Sequence, residues 1–192
     1  MIEDEINFSR LLKAGDPIAM EKMVESYGDR LLRGAFLLCR NEPEAQDLVH
    51  DTFYQAFRSV KNFRGDCSLY NWLYRILRNI FLNQNRRKRI FSSLISSHRT
   101  TWLRYDAQGQ NSRDVNGAGL MDAINGLPMK LREILYLRYV EGLKIWEIGE
   151  ILGLPYGTVK SRLYYAIQKL KKELLGTLNF RDYSEKENFH GV

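Results

Sequence analysis

The chain has 192 residues, 44% of them hydrophobic, and 29 Lys+Arg against 23 Asp+Glu give it a formal charge of +6. That size fits one globular domain or two small ones, and the basic balance points to an anionic partner. No apolar run approaches the roughly 18 residues of a membrane-spanning helix, and two cysteines without a CxxC pair speak against a disulfide framework or a zinc site.

The N-terminus, MIEDEINFSR, is acidic and lacks the apolar core of a signal peptide. With the sparse cysteines, this predicts a protein of the reducing cytoplasm. Residues 5–15 read as a short helix ended at Gly15. Asp16 and Pro17 then open a second helix as N-cap and first helical residue. It runs to about Arg40, with Met20, Met23, Tyr27, Leu31, Ala35 and Leu38 buried, and Cys39 reads as a core residue. Asn41-Glu42-Pro43 restarts a helix to about Val60, burying Ala45, Leu48, Val49, Thr52, Phe53, Ala56 and Phe57. A loop, Lys61 to Cys67, follows, leaving Cys67 in a polar setting. Ser68 caps a fourth helix over about 69–90, expected to bury Leu69, Trp72, Leu73, Ile76, Leu77 and Ile80.

Residues 91–118 break the pattern. Ser, Thr, Asn, Gln and Gly dominate, and the stretch reads as a flexible linker of 20 to 25 residues. Trp102 and Leu103 suggest that part of it docks. A second helical unit spans 119–176, and a polar tail, 177–192, closes the chain. No period-2 run marks a strand. The expectation is an all-α protein of two small helical domains, 1–90 and 119–176.

Within the second unit, residues 145–172 carry the strongest local signal. Ile145, Ile148, Ile151 and Leu152 form one apolar stripe. Gly153 and Pro155 end that helix. Val159, Leu163, Ala166, Ile167, Leu170 and Leu174 form a second stripe at helical spacing. Its opposite face carries Lys160, Ser161, Tyr164, Tyr165, Gln168, Lys169 and Lys172. Tyr156 to Lys172 holds five Lys/Arg and no acid. A short helix, a glycine turn and an uncompensated basic helix make the pattern of a helix-turn-helix entering a DNA major groove. A solvated helical hairpin is the plainer alternative.

A second cationic stretch lies in the first unit. Arg64 to Arg89 holds seven basic residues against Asp66 alone. Phe63, Tyr70, Trp72, Tyr74 and Phe81 interleave with Arg64, Arg75, Arg78, Asn79, Asn83, Asn85 and the run Arg86-Arg87-Lys88-Arg89. Cations hold phosphates, aromatics stack on unpaired bases and Asn bonds base edges, so the mixture suits melted DNA. Trp72 and Phe81 also fit a core. The third helix is the reverse: Asn41 to Phe57 has four acids and no Lys or Arg. Glu44, Asp47 and Asp51 share one face, a docking surface for a basic protein partner or an ordinary solvated face.

Three ordered motifs carry a family resemblance: EAQDLVHDTFYQAF (44–57), FRGDCSLYNWLYRILRN (63–79) and LREILYLRYVEGLKIWEIGEILGLPYGTVKSRL (131–163). The chain resembles a group IV, extracytoplasmic-function (ECF) sigma factor of the sigma-70 family. The resemblance implies two helical domains. Region 2 would bind the clamp coiled coil of core RNA polymerase and melt the −10 promoter element. Region 4 would bind the −35 element and the polymerase flap. It also implies an inhibitory anti-sigma factor.

Carried over by position, Asp47, His50, Asp51 and Phe53 match the core-polymerase contact. Asn79 matches a residue that captures a flipped −10 base. Phe63, Arg64, Tyr74, Arg75 and Arg78 surround it in the −10 DNA-binding set, with the 63–68 loop shaping the pocket. Lys160, Ser161, Tyr164 and Tyr165 match −35 base-reading positions. Thr158 and Arg162 match backbone contacts, and Lys169 is expected to reach a phosphate. Relatives often carry an acid where Gln46 stands, Gln where His50 stands and Arg where Tyr165 stands. Lys144, Trp146 and Gly149 replace the usual Ser, Glu and Ala.

The other class in play is a free-standing helix-turn-helix regulator, which has no need of the 44–57 motif. An enzyme is third. The sequence holds no nucleophile motif, metal set or phosphate loop, its histidines (His50, His98, His190) are scattered, and it implies no cofactor.

Overall fold

A computed structural model describes the backbone of residues 8, 10–95 and 118–187, and the side chains of residues 8, 10–90 and 119–174. Of the expected 91–118 linker, residues 91–95 and 118 are helical and 96–117, with Trp102 and Leu103, lie outside the described residues, as do His98, His190 and the tail beyond 187. The described residues form helices and turns without a strand, so the fold is all-α. The chain divides into two compact units, Met1–Ala107 and Gln108–Val192.

Among the described residues the first unit packs three long helices together with a short helical segment, 10–14, that ends at Gly15. Helix α1 spans Pro17–Cys39. Asp16 accepts a hydrogen bond from the Ala19 amide at 2.9 Å, which satisfies one of the orphan donors of the first turn. Arg40 ends α1 in the left-handed conformation. Helix α2, Glu42–Ser59, starts the same way, with Asn41 accepting from the Glu44 amide at 2.9 Å. Glu42 and Glu44 in its first turn favour the positive end of the helix dipole. A 3₁₀ turn, Val60–Asn62, leads to the loop before α3, Leu69–Ile95. Ser68 caps α3 as expected, accepting from the Asn71 amide at 3.2 Å. No Gly or Pro stands between Gly65 and Gly109, and helix formers fill 86–89, so α3 continues past residue 90.

Leu12, Met23, Leu31, Leu48, Leu73 and Leu77 form the centre of this core. The buried Thr52 hydroxyl donates to the Leu48 carbonyl at 2.6 Å, so its polar group is satisfied within the helix. The buried face of α3 is rotated from the expected stripe. Tyr70, Leu73, Tyr74, Leu77 and Phe81 are buried, whereas Leu69, Trp72, Ile76 and Ile80 are half-buried. The reason is that α3 packs on both α1 and α2, and the α1 side recruits an aromatic cluster. Tyr70 stacks on Tyr27 with centroids 6.5 Å apart and lies 6.0 Å from Tyr74, and the Arg30 guanidinium sits 3.6 Å from the Tyr70 ring centre.

The second unit contains α4 (Ala118–Gly126), α5 (Met129–Leu135), α6 (Ile145–Leu152) and α7 (Tyr156–Glu187). Helix α5 widens into a π-helical turn, Tyr136–Val140, ending before Gly142. The core gathers Leu131, Ile134, Leu137, Ile148, Ile151, Val159 and Ala166. Arg132 and Glu133 are buried within it. The Arg132 guanidinium donates to the carbonyls of Asn125 and Leu127 at 3.3 and 3.4 Å, meeting acceptors left open at the end of α4. Helix α7 runs through Gly176 to Glu187, so the helix does not end at the tail boundary read from sequence. A single interior glycine costs only about 1 kcal/mol against alanine, too little by itself to stop a helix.

Candidate nucleic-acid interface

Two glycines lie at the turn between α6 and α7. Gly153 adopts φ +65°, a conformation that L side chains resist, and closes α6. Gly149 acts by lacking a side chain: a Cβ there would stand 2.8 Å from the Leu154 carbonyl oxygen. The Leu154 amide donates to the Gly149 carbonyl at 2.9 Å, so the turn is drawn tightly onto α6. Pro155 then launches α7, whose Val159, Leu163 and Ala166 pack inward.

That packing turns the basic face outward. Lys160 and Ser161 are exposed, Tyr164 is 67% exposed and Tyr165 60%. Thr158, Arg162 and Lys169 are half-buried at the flanks of this face. The Ser161 hydroxyl donates to the Thr158 carbonyl at 3.1 Å. The seven residues expected at the −35 element therefore share one helix, with the four base-reading candidates the more exposed. Trp146, on α6, is also exposed.

In the first unit, Asp47, His50 and Asp51 are exposed on α2. Phe53 is not: at 6% exposure it is a core residue, 6.3 Å from the Phe57 ring. The helical stripe read from sequence already buries Phe53, and that holds; the contact that the resemblance implies for it is corrected, because the three-residue step from His50 to Phe53 crosses from the outer face to the edge that packs on α1 and α3. The acidic face also has partners within the chain. Lys88 pairs with Glu44 at 3.0 Å, and the Gln84 amide donates to Asp51 at 3.4 Å. Both contacts are exposed and contribute little stability, but they draw part of the basic run onto α2.

Of the residues expected at the −10 element, Arg64 and Asn79 are exposed, and Arg75 and Arg78 are half-buried. Tyr74 is fully buried and Phe63 is 6% exposed. These two are corrections: neither ring is open to a base. Tyr74 belongs to the α1–α3 aromatic cluster. Phe63 tucks beneath Trp72, centroids 5.2 Å apart, and thereby anchors the 63–68 loop to the start of α3.

A groove of about 540 Å³ runs between α2 and α3. Asp51, Gln55 and Ser59 line one wall, and Trp72, Ile76, Asn79, Ile80, Asn83, Gln84 and Arg87 the other. It brings together Asp51 and Asn79, which the sequence assigns to different partners. Sequence reasoning missed Gln55 and Arg87 as wall residues. Their signal was present: Asp51, Gln55 and Ser59 recur every four residues, as do Asn79, Asn83 and Arg87, each set marking one helix face. Half-buried apolar side chains beneath amides and one arginine give a surface able to stack on and hydrogen-bond an unpaired base.

Two helical units, one with a helix-turn-helix and an exposed face that carries basic residues, fit the class of DNA-binding proteins. The comparisons make the class specific. Residues 23–90 match the Sigma-70 region 2 family, and residues 118–170 match Sigma-70, region 4. The chain is 35% identical over 169 residues to the ECF RNA polymerase sigma factor SigE of Mycolicibacterium smegmatis, covering 83% of this chain and 64% of that protein. It is 30% identical over 173 residues to the ECF RNA polymerase sigma factor SigW of Bacillus subtilis, covering 85% of this chain and 92% of that one. A solved structure of the sigma factor RpoE in complex with the anti-sigma factor NepR, from Bartonella quintana, superposes with a TM-score of 0.63 at 28% identity, covering 80% of this chain and 95% of that one. The chain belongs to the sigma-70 family, in its ECF group, and functions as a sigma factor that directs RNA polymerase to promoters. No helix among the described residues is long and apolar enough to cross a membrane.

Proposed function

We propose that the two units divide promoter recognition as follows. The exposed acidic face of α2, with Asp47, His50 and Asp51, docks on the basic clamp coiled coil of core RNA polymerase. Arg64, Arg75, Arg78 and Asn79 engage the −10 element, where Asn79 and its groove hold an unstacked base while the arginines hold phosphates. Helix α7 enters the major groove of the −35 element. Lys160, Ser161, Tyr164 and Tyr165 read base edges there, and Thr158, Arg162 and Lys169 hold the backbone. The second unit also meets the polymerase flap. The polymerase supplies all the chemistry, and the protein works in the cytoplasm beside it.

The observation that carries this reading is the graded exposure along α7. The base-reading candidates are exposed and the phosphate candidates are half-buried along one edge of that face, which suits a recognition helix. The region 2 match over residues 23–90 weighs against a free-standing regulator. The RpoE neighbour was solved with an anti-sigma factor, which supports a protein inhibitor for this chain as well.

The test is transcription by core polymerase plus this protein from a library randomised at the −35 element. A good base contact discriminates by about 1–3 kcal/mol, whereas phosphate contacts act on all sequences alike. Lys160→Ala is expected to flatten the −35 preference. Arg162→Ala is expected to lower output across the library with the preferred bases unchanged. The opposite assignment of effects would mean that α7 faces DNA with a rotated surface.

A further inference from the structure

We infer that Tyr156 is a positioning residue for sequence readout by Lys160, an inference that rests on the reading of α7 as the −35 recognition helix. Tyr156 opens α7, and Lys160 follows it by one turn. Side chains on a helix lean toward its N-terminus, so the lysine stem runs back over the tyrosine. The Lys160 ammonium sits 5.9 Å from the centre of the Tyr156 ring, within cation–π range.

Tyr156 is 56% exposed, so burial in the core does not account for the ring. Lysine is a point charge on a flexible four-carbon stem. Left alone, it would sample phosphates and base edges alike. A ring that holds the ammonium near the helix N-terminus keeps it where a recognition helix meets bases. There it suits the O6 and N7 acceptors of a guanine. Tyr156 thus acts through Lys160, turning a mobile cation into a base reader.

The randomised −35 library, transcribed by core polymerase with the full-length protein, tests this. Exposed cation–π contacts are weak, so Tyr156→Ala is expected to reduce base discrimination by about two- to fivefold. The loss should fall at the same base positions that Lys160→Ala flattens. Tyr156→Phe keeps the ring and should restore discrimination, and Tyr156→Ala on a Lys160→Ala background should remove nothing further. If the alanine variant melts early, Tyr156→Leu, which keeps an apolar side chain without a ring, is expected to lose the same discrimination. Uniformly lower output with unchanged preferences would overturn the inference. So would loss at base positions indifferent to Lys160, or failure of Tyr156→Phe to restore them. If Lys160→Ala itself leaves the −35 preference intact, the reading of α7 fails and the inference falls with it.

Discussion

Asp51, on α2, and Asn79, on α3, line the two walls of one groove. One is proposed to meet polymerase and the other DNA, so their substitutions should separate two activities that share one groove.

Reversing charge on α2 should act first on docking. Asp47 and Asp51 are exposed, and surface changes of this kind usually alter stability by less than about 0.5 kcal/mol. Asp47→Arg with Asp51→Arg is expected to weaken co-purification with core polymerase at least tenfold while the circular dichroism spectrum stays helical. The buried Phe53 should behave differently. Phe53→Ala removes a packed ring, which costs about 3–5 kcal/mol, so it should lower the melting temperature before it affects docking. Normal stability with selectively lost docking would return Phe53 to the contact surface.

Asn79→Ala should act after initial binding. It is expected to reduce permanganate-detected opening at the −10 region more than closed-complex formation, and a premelted bubble should restore little of the lost base preference. Tyr74→Ala should instead unfold the first unit, because the ring is fully buried. Unchanged opening in the Asn79 variant would assign base capture to another groove residue, with Asn83 the first to test.

Gly149→Ala tests the tight turn. The added methyl would meet the Leu154 carbonyl oxygen at 2.8 Å, and the backbone must move to admit it. Overpacking of this kind costs about 1–3 kcal/mol. The variant is expected to melt lower and to bind −35 DNA more weakly, with core binding through the first unit intact. Wild-type melting and −35 affinity would show that the turn relaxes freely.

Burial, then the nearby Glu44 carboxylate, push the Cys39 thiol up to about 11 from 9.0, opposed by Lys88. Because the folded value is raised, the protonated thiol is favoured in the fold, and the associated stability is lost as pH rises from 9 toward 11. In a Cys67→Ser protein, the alkylation rate of Cys39 should climb with a midpoint near pH 11 when folded and near 9 in urea. A folded midpoint at 9 would mean that Cys39 is open to solvent.

The helix-turn-helix was legible from sequence because its signals are local. Gly153, Pro155 and the Val159–Leu163–Ala166 stripe act over a few residues, and the caps Asp16 and Ser68 are equally short-range. The aromatic errors were not local. Whether Phe63 and Tyr74 face solvent or core depends on packing against α1 and Trp72, which a one-helix pattern does not contain, whereas the α2 stripe already places Phe53 in the core. The burial of Arg132 likewise depends on the end of α4 being brought against it. The groove required both helices in register before Asp51 and Asn79 could be seen as neighbours.

The central claim is that this chain gives RNA polymerase its promoter. The most direct measurement is sequencing of transcripts made from a genomic DNA library by purified core polymerase with and without the protein. The account predicts new 5′ ends, dependent on the protein, that share one element near −35 and one near −10. It also predicts that the charge-reversed Asp47→Arg, Asp51→Arg protein abolishes those ends. Identical 5′ ends with and without the protein, although it binds core polymerase, would contradict the account.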